Sequence, residues 1–128
     1  MATTLKALRA ISAPPRVRLV ALLSESELTV RELTDITGMR QSGISMHLGQ
    51  LQDAGLVESS RDGKNAYYRV ARGNENRGLI ELAAAGAAEI PEHKADRQNL
   101  KRILERRENQ DLVYFNRVAG RFDSVYGP

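Results

Sequence analysis

The stretch that decides the fold runs Thr29-Val30-Arg31-Glu32-Leu33-Thr34-Asp35-Ile36-Thr37-Gly38-Met39-Arg40-Gln41-Ser42-Gly43-Ile44-Ser45-Met46-His47-Leu48-Gly49-Gln50-Leu51. It opens with a threonine followed three residues later by a glutamate. That is the spacing at which each side chain can satisfy the other residue's backbone N–H at a helix start. The pattern predicts a short helix from Val30 through Thr37, stopped by Gly38, which can take the left-handed conformation. After a tight turn, Ile44, Leu48 and Leu51 keep one face of a second helix, Gln41 to Ala54, closed by Gly55. Two short helices joined by a glycine-containing turn read as a helix-turn-helix.

Working outward on the C-terminal side, Leu56-Val57-Glu58-Ser59-Ser60 and Asn65-Ala66-Tyr67-Tyr68-Arg69-Val70 flank Arg61-Asp62-Gly63-Lys64. An Asp-Gly pair between two strand-like runs predicts a hairpin, which is too small to stand without packing on the helices before it. Tyr67 and Tyr68 alternate across the second strand, so one is expected in the core and the other on the surface. On the N-terminal side, Leu5, Leu8 and Ile11 recur at helical spacing. Pro14 and Pro15 end that helix and start the next, in which Val17, Val20 and Leu19 or Leu23 are expected to face inward. Beyond Val70, residues 72–78 read as a loop. Leu79, Ile80, Ala83, Ala87 and Ile90 then form a helical stripe, rich in small residues and broken by Pro91. Residues 96–122 read as a long charged helix whose stripe is Leu100, Ile103, Leu104, Leu112, Phe115, Ala119 and Phe122. The fold class is therefore mainly α with a small β-hairpin, a winged helix-turn-helix carrying a long C-terminal helix. Residues 1–75 form the winged unit, and residues 76–128 form C-terminal helices that serve as a dimerisation arm or a connector to a further domain.

Composition bounds the function. The chain has 128 residues and a net charge of +3, which fits one domain. Cysteine is absent, which removes disulfides and thiolate metal sites. No apolar run spans a bilayer and no signal peptide opens the chain, so a cytoplasmic location is expected. The charge is segregated. Lys6, Arg9, Arg16 and Arg18 precede any acid, Glu25, Glu27, Glu32 and Asp35 crowd the next stretch, and Arg40, Arg61, Lys64, Arg69 and Arg72 dominate the one after. Such a layout suits an oriented polyanion. No nucleophile with a paired base, phosphate-cradling loop or metal triad is visible, so an enzyme is not expected.

Taken together, Leu5-Lys6-Ala7-Leu8, Pro15-Arg16-Val17-Arg18-Leu19, Glu27 to Leu33, Gln41 to Leu48, Ala54-Gly55-Leu56-Val57, Gly63-Lys64 and Tyr67-Tyr68-Arg69-Val70 resemble the winged helix-turn-helix regulators of the ArsR family over residues 5–70. The resemblance implies a homodimeric transcriptional repressor reading a near-palindromic operator in double-stranded DNA. Polar side chains on the first turns of a groove-seated helix reach base edges. This gives Gln41, Ser42 and Ser45, with His47 and Gln50 further along, as base-contacting candidates, and Gly43 and Met46 on the same helix as further DNA-contacting positions. Arg61 and Lys64 at the wing, with Arg16, Arg18 and Arg40, are candidates for phosphates. Met46 stands where the family usually has a basic residue, and Arg40 where it has a better helix cap. The resemblance implies no family-type metal site here, since Thr29 and Arg31 replace metal-binding cysteines and only His47 and His93 are present.

The segment from Asp96 to Tyr126, with Phe115, Val118, Ala119, Phe122 and Asp123, resembles the connector between ArsR-type domains and S-adenosylmethionine-dependent methyltransferases. It implies S-adenosylhomocysteine or S-adenosylmethionine as a small-molecule effector; no other cofactor is expected. The alternatives are a winged-helix protein-interaction module, or the regulatory half of a methyltransferase fusion.

Overall fold

The structure is a computed structural model that describes residues 3–73 and 75–126, with side chains described for residues 4–73 and 75–110. Six helices and one hairpin follow in the order α1 (Thr3–Ile11), α2 (Pro14–Glu25), α3 (Val30–Thr37), α4 (Gln41–Asp53), β1 (Val57–Asp62), β2 (Asn65–Val70), α5 (Arg77–Gly86) and α6 (His93–Tyr126). This is a winged helix-turn-helix, as the sequence predicts.

The local signals work as their chemistry requires. Thr29 Oγ1 accepts from the Glu32 N–H at 3.1 Å, and Glu32 Oε1 accepts from the Thr29 N–H at 2.9 Å. Gly38 closes α3 at φ 74° and Gly55 follows α4 at φ 75°. The hairpin pairs Val57 with Val70 through Asp62 with Asn65, so the strands run further into the tip than expected and leave only Gly63-Lys64 as the turn. Gly63 has φ 65° while no non-glycine residue has a positive φ; a glycine in this position first and an ordinary residue second is the φ pattern of a type II′ hairpin turn. The hairpin is held on the helices by backbone hydrogen bonds in both directions between Leu28 and Tyr68, at 3.0 and 2.9 Å, a third short partner that no sequence pattern announces.

One apolar cluster unites all the helices. It joins Ala7 and Ala10, Leu19, Val20, Leu22 and Leu23, Leu28, Leu33 and Ile36, Ile44, Leu48 and Leu51, Leu56 and Val57, Ile80 and Ala83, and Leu100 and Ile103. Several expectations change here. In α1 the packed face is Ala7 and Ala10, while Leu5 and Leu8 remain 58% and 45% exposed. In α2, Val20 and both Leu19 and Leu23 are buried as expected, Leu22 joins them, and only Val17 stays half-buried. Helix α5 starts two residues earlier than a loop ending at Gly78 allows and stops at Gly86. A 3₁₀ turn, Ala87–Glu89, buries Ala87. Tyr68 packs against the core, and Tyr67, on the other face of the strand, is half-buried rather than free surface.

Helix α6 begins at His93, just past Pro91, and its 34 residues span about 51 Å. Its first half is not a free arm. Leu100 and Ile103 are buried within the protomer, and polar ties fix the helix along α2 and α3. Arg18 donates to both oxygens of Asp96 at 2.8 and 2.9 Å and to the Thr37 carbonyl at 3.1 Å. Asn99 donates to the Ile36 carbonyl at 2.9 Å. Further along, Arg107 donates to both carboxylate oxygens of Glu32 and to the Glu27 carbonyl, and its guanidinium lies 5.8 Å from the centre of the Tyr67 ring. Leu112, Phe115, Ala119 and Phe122 lie outside the described side chains.

Candidate nucleic-acid interface

Helix α4 is seated by Ile44, Leu48 and Leu51, which are buried. The 3.6-residue repeat then turns Gln41, Ser42, Ser45, Met46 and Gln50 outward, and all five are exposed. They form a polar ridge interrupted only by Met46, on the exposed face of the first three turns of the helix. Gly43 is half-buried, and neither it nor Gly49 has any atom within 4 Å of where a Cβ would stand. Arg40 occupies the N-cap in an extended conformation, and its side chain makes no capping hydrogen bond. The positive end of the helix therefore faces outward without a side-chain cap, where it favours an anion.

His47 is tied rather than free. It is half-buried, and its Nδ1 lies 3.2 Å from Arg16 Nη1. A guanidinium only donates, so Nδ1 accepts and the ring proton sits on Nε2. Burial and then the adjacent Arg16 charge push the His47 pKa below its ordinary 6.5, which keeps the ring neutral at pH 7 with its N–H on the far side. Arg16 also donates through Nε to the Ala10 carbonyl at the end of α1. The structure thus joins two candidates, Arg16 and His47, into one unit.

Arg18 is withdrawn from the interface. Its side chain is 11% exposed and its partner Asp96 is 5% exposed, so it forms a buried ion pair and is no phosphate ligand. The remaining candidates, Arg61 on β1 and Lys64 in the turn, are exposed. Arg69 of the same hairpin instead pairs with Glu58 and Glu27 at 2.8 and 3.2 Å.

Gln41 and Lys64 line one trough of about 580 Å³, together with Arg31 and Asp35 of α3, Tyr67 of β2, and Ile103, Arg106, Arg107 and Gln110 of α6. Arg31, Arg106 and Arg107 are residues that the sequence reading did not select. Arg31 sits in the quoted motif, but its neighbours there are acidic; the two α6 arginines have no local signal at all. A second groove of about 540 Å³ lies between α2, the end of β2 and α5, lined by Ser24, Val70, Arg72, Arg77, Ile80, Glu81 and Ala84. Among the described residues no three His, Asp or Glu side chains come together as a metal site, and no helix is long and apolar enough to cross a membrane.

Fold and site together define a class: a winged helix-turn-helix module with an outward polar recognition helix and a cationic wing. Residues 13–59 match the family described as bacterial regulatory protein, arsR family. The chain is 42% identical over 64 residues to the HTH-type transcriptional repressor SmtB of Mycobacterium tuberculosis, covering 50% of this chain and 47% of that one; it spans about half the length of that repressor. The homodimeric winged helix-turn-helix DNA-binding domain from Mycobacterium bovis superimposes with a TM-score of 0.59 at 32% identity, covering 71% of this chain and 83% of that domain. The transcriptional repressor BigR from Xylella fastidiosa gives 0.56 at 31% identity, over 68% and 82%. The chain belongs to the ArsR family. Its matched relatives are transcriptional regulators rather than enzymes.

Proposed function

We propose that this protein is a sequence-specific, homodimeric transcriptional repressor that seats α4 in the major groove of double-stranded DNA. The observation carrying this reading is the outward polar ridge of Gln41, Ser42, Ser45 and Gln50 on a helix fixed by Ile44, Leu48 and Leu51. Glutamine pairs bidentately with adenine, and serine hydroxyls serve several bases. Arg61 and Lys64 on the wing, Arg40 at the helix start and Arg16 behind His47 supply backbone contacts, which add affinity rather than sequence choice. Met46 contributes apolar contact of the kind a thymine methyl accepts.

Leu5 and Leu8 on α1 and Leu82 on α5, the last 70% exposed, form the dimer face, and the small residues Ala84, Ala85 and Gly86 let a partner helix approach. A two-fold dimer reads a near-palindrome whose half-sites are about 34 Å apart. The groove between α2 and α5 takes the small-molecule effector, S-adenosylhomocysteine or S-adenosylmethionine. Its mixed apolar and charged lining suits a nucleoside with an amino-acid tail.

Selection from random duplex DNA tests the reading. Wild type is expected to enrich an imperfect palindrome, and the Gln41→Ala/Ser45→Ala double variant to enrich nothing. Adding either adenosyl compound is expected to release the selected duplex. Equal enrichment by the double variant removes α4 as the reader, and no enrichment by wild type overturns sequence-specific binding.

A further inference from the structure

We propose that α6 adds a DNA-backbone contact of its own, in which Arg106, beside Arg31 of α3 and Lys64 of the wing, lines a trough that takes phosphates flanking the recognition helix. The proposal rests on the DNA-binding reading above and extends it to an element outside the helix-turn-helix and wing.

The sequence Glu105-Arg106-Arg107-Glu108 looks charge-balanced, but the helix partitions it. Ile103, Arg106, Arg107 and Gln110 share one face, at spacings of three and four residues, and all four line the trough. Glu105 and Glu108 turn the other way, into a separate groove with Glu25, Arg97 and Lys101. Within the trough, Arg107 is committed. It bridges Glu32 and the Glu27 carbonyl and cancels the Glu32 charge. What remains is Arg31, Lys64 and Arg106, all exposed and none in an ion pair among the described residues, against the single exposed acid Asp35.

The same trough contains Gln41, the first residue of the recognition helix, and Lys64, the wing tip. A duplex seated on α4 and the wing therefore brings its backbone to the trough mouth. Three exposed cations lining one open trough suit a polyanionic strand. Exposed arginine is suited to this because its planar fork pairs with phosphate oxygens two at a time.

The test uses the full chain and a labelled duplex several helical turns long, with affinity measured by fluorescence anisotropy across a salt series and melting recorded in parallel. Each phosphate contact contributes about 0.9 to the slope of log affinity against log salt. Arg106→Gln is expected to weaken binding to all sequences alike and to flatten the slope by about 0.9 per protomer. The affinity lost between about 50 and 200 mM salt then shrinks about 3.5-fold per contact. Arg106→Lys retains most of the slope. Lys101→Gln, on the opposite face of α6, leaves it unchanged, and none of the three moves the melting temperature. An unchanged slope in Arg106→Gln, with wild type binding normally, overturns the trough contact and leaves DNA binding by α4 standing. Equal flattening in Lys101→Gln reveals a general charge effect and overturns it as well. No binding by wild type removes the DNA-binding reading itself.

Discussion

At the scale of single residues, the pair Arg16–His47 shows how burial changes what a motif residue can do. A histidine on a recognition helix reads from sequence as a base or phosphate contact. Here its Nδ1 is already used by Arg16 at 3.2 Å, and the ring has only a neutral Nε2–H left to offer. Burial and the Arg16 charge both disfavour protonation, so the folded protein binds that proton less readily than the unfolded chain. The sign follows from linkage. The His47 contribution to stability is full above its ordinary pKa of 6.5 and declines as the pH falls below it, because the unfolded chain takes up the proton first. Melting profiles of wild type and His47→Gln are expected to differ in this window, with wild type losing more on acidification between neutral pH and about pH 5. Parallel profiles would show that His47 is neither buried nor held beside Arg16 in solution. Arg18 offers the complementary case. It resembles Arg16 in the sequence, yet pairs with a carboxylate 78 residues away, and removing either partner of a buried pair leaves an uncompensated charge.

At the scale of elements, α3 and α4 contrast. Helix α3 has a complete capping box, Gly38 behind it and Arg107 closing over Glu32. Helix α4 carries the proposed base readers but has no side-chain cap and holds two glycines. Glycine in a helix costs about 1 kcal/mol relative to alanine, and nothing lies within 4 Å of a Cβ built at Gly49. Gly49→Ala is therefore expected to raise stability by about 1 kcal/mol in chemical denaturation. A loss of stability instead would mean that α4 is not a regular helix at that position. The helix is thus tuned below its available stability, and amide exchange along α4 is expected to slow when DNA is added. The elements themselves were largely legible: capping box, Gly38, the hairpin and the buried face of α4 all follow from local patterns. Boundaries were less so. Helix α5 ends at Gly86 although the apolar stripe continues to Ile90, because Ala87 is buried in a 3₁₀ turn that redirects the chain towards α6. A stripe of small residues does not distinguish a straight helix from a bent one.

At the scale of the whole molecule, the unfinished surface is apolar and the finished one is charged. Leu5, Leu8 and Leu82 remain exposed while the long helix, whose length suggests an arm, spends Leu100 and Ile103 inside its own protomer. The proposed dimer through α1 and α5 would cover that surface. Leu8→Glu/Leu82→Glu is expected to give a folded monomer in sedimentation velocity at concentrations where wild type is a dimer, with loss of palindrome binding but not of weak, salt-sensitive binding. A double variant that stays dimeric would move the interface elsewhere, with the second half of α6 the next place to look. The order of elements and the family follow from the sequence because capping, turn formation and helical periodicity act between residues a few positions apart. Which basic residues stay free to meet a polyanion was decided only by the tertiary structure. Arg18 and Arg107 are taken by Asp96 and Glu32, 78 and 75 residues away, whereas Arg31 and Arg106 are left exposed, and pairings at that separation depend on how α6 packs across α2 and α3, which no local pattern encodes.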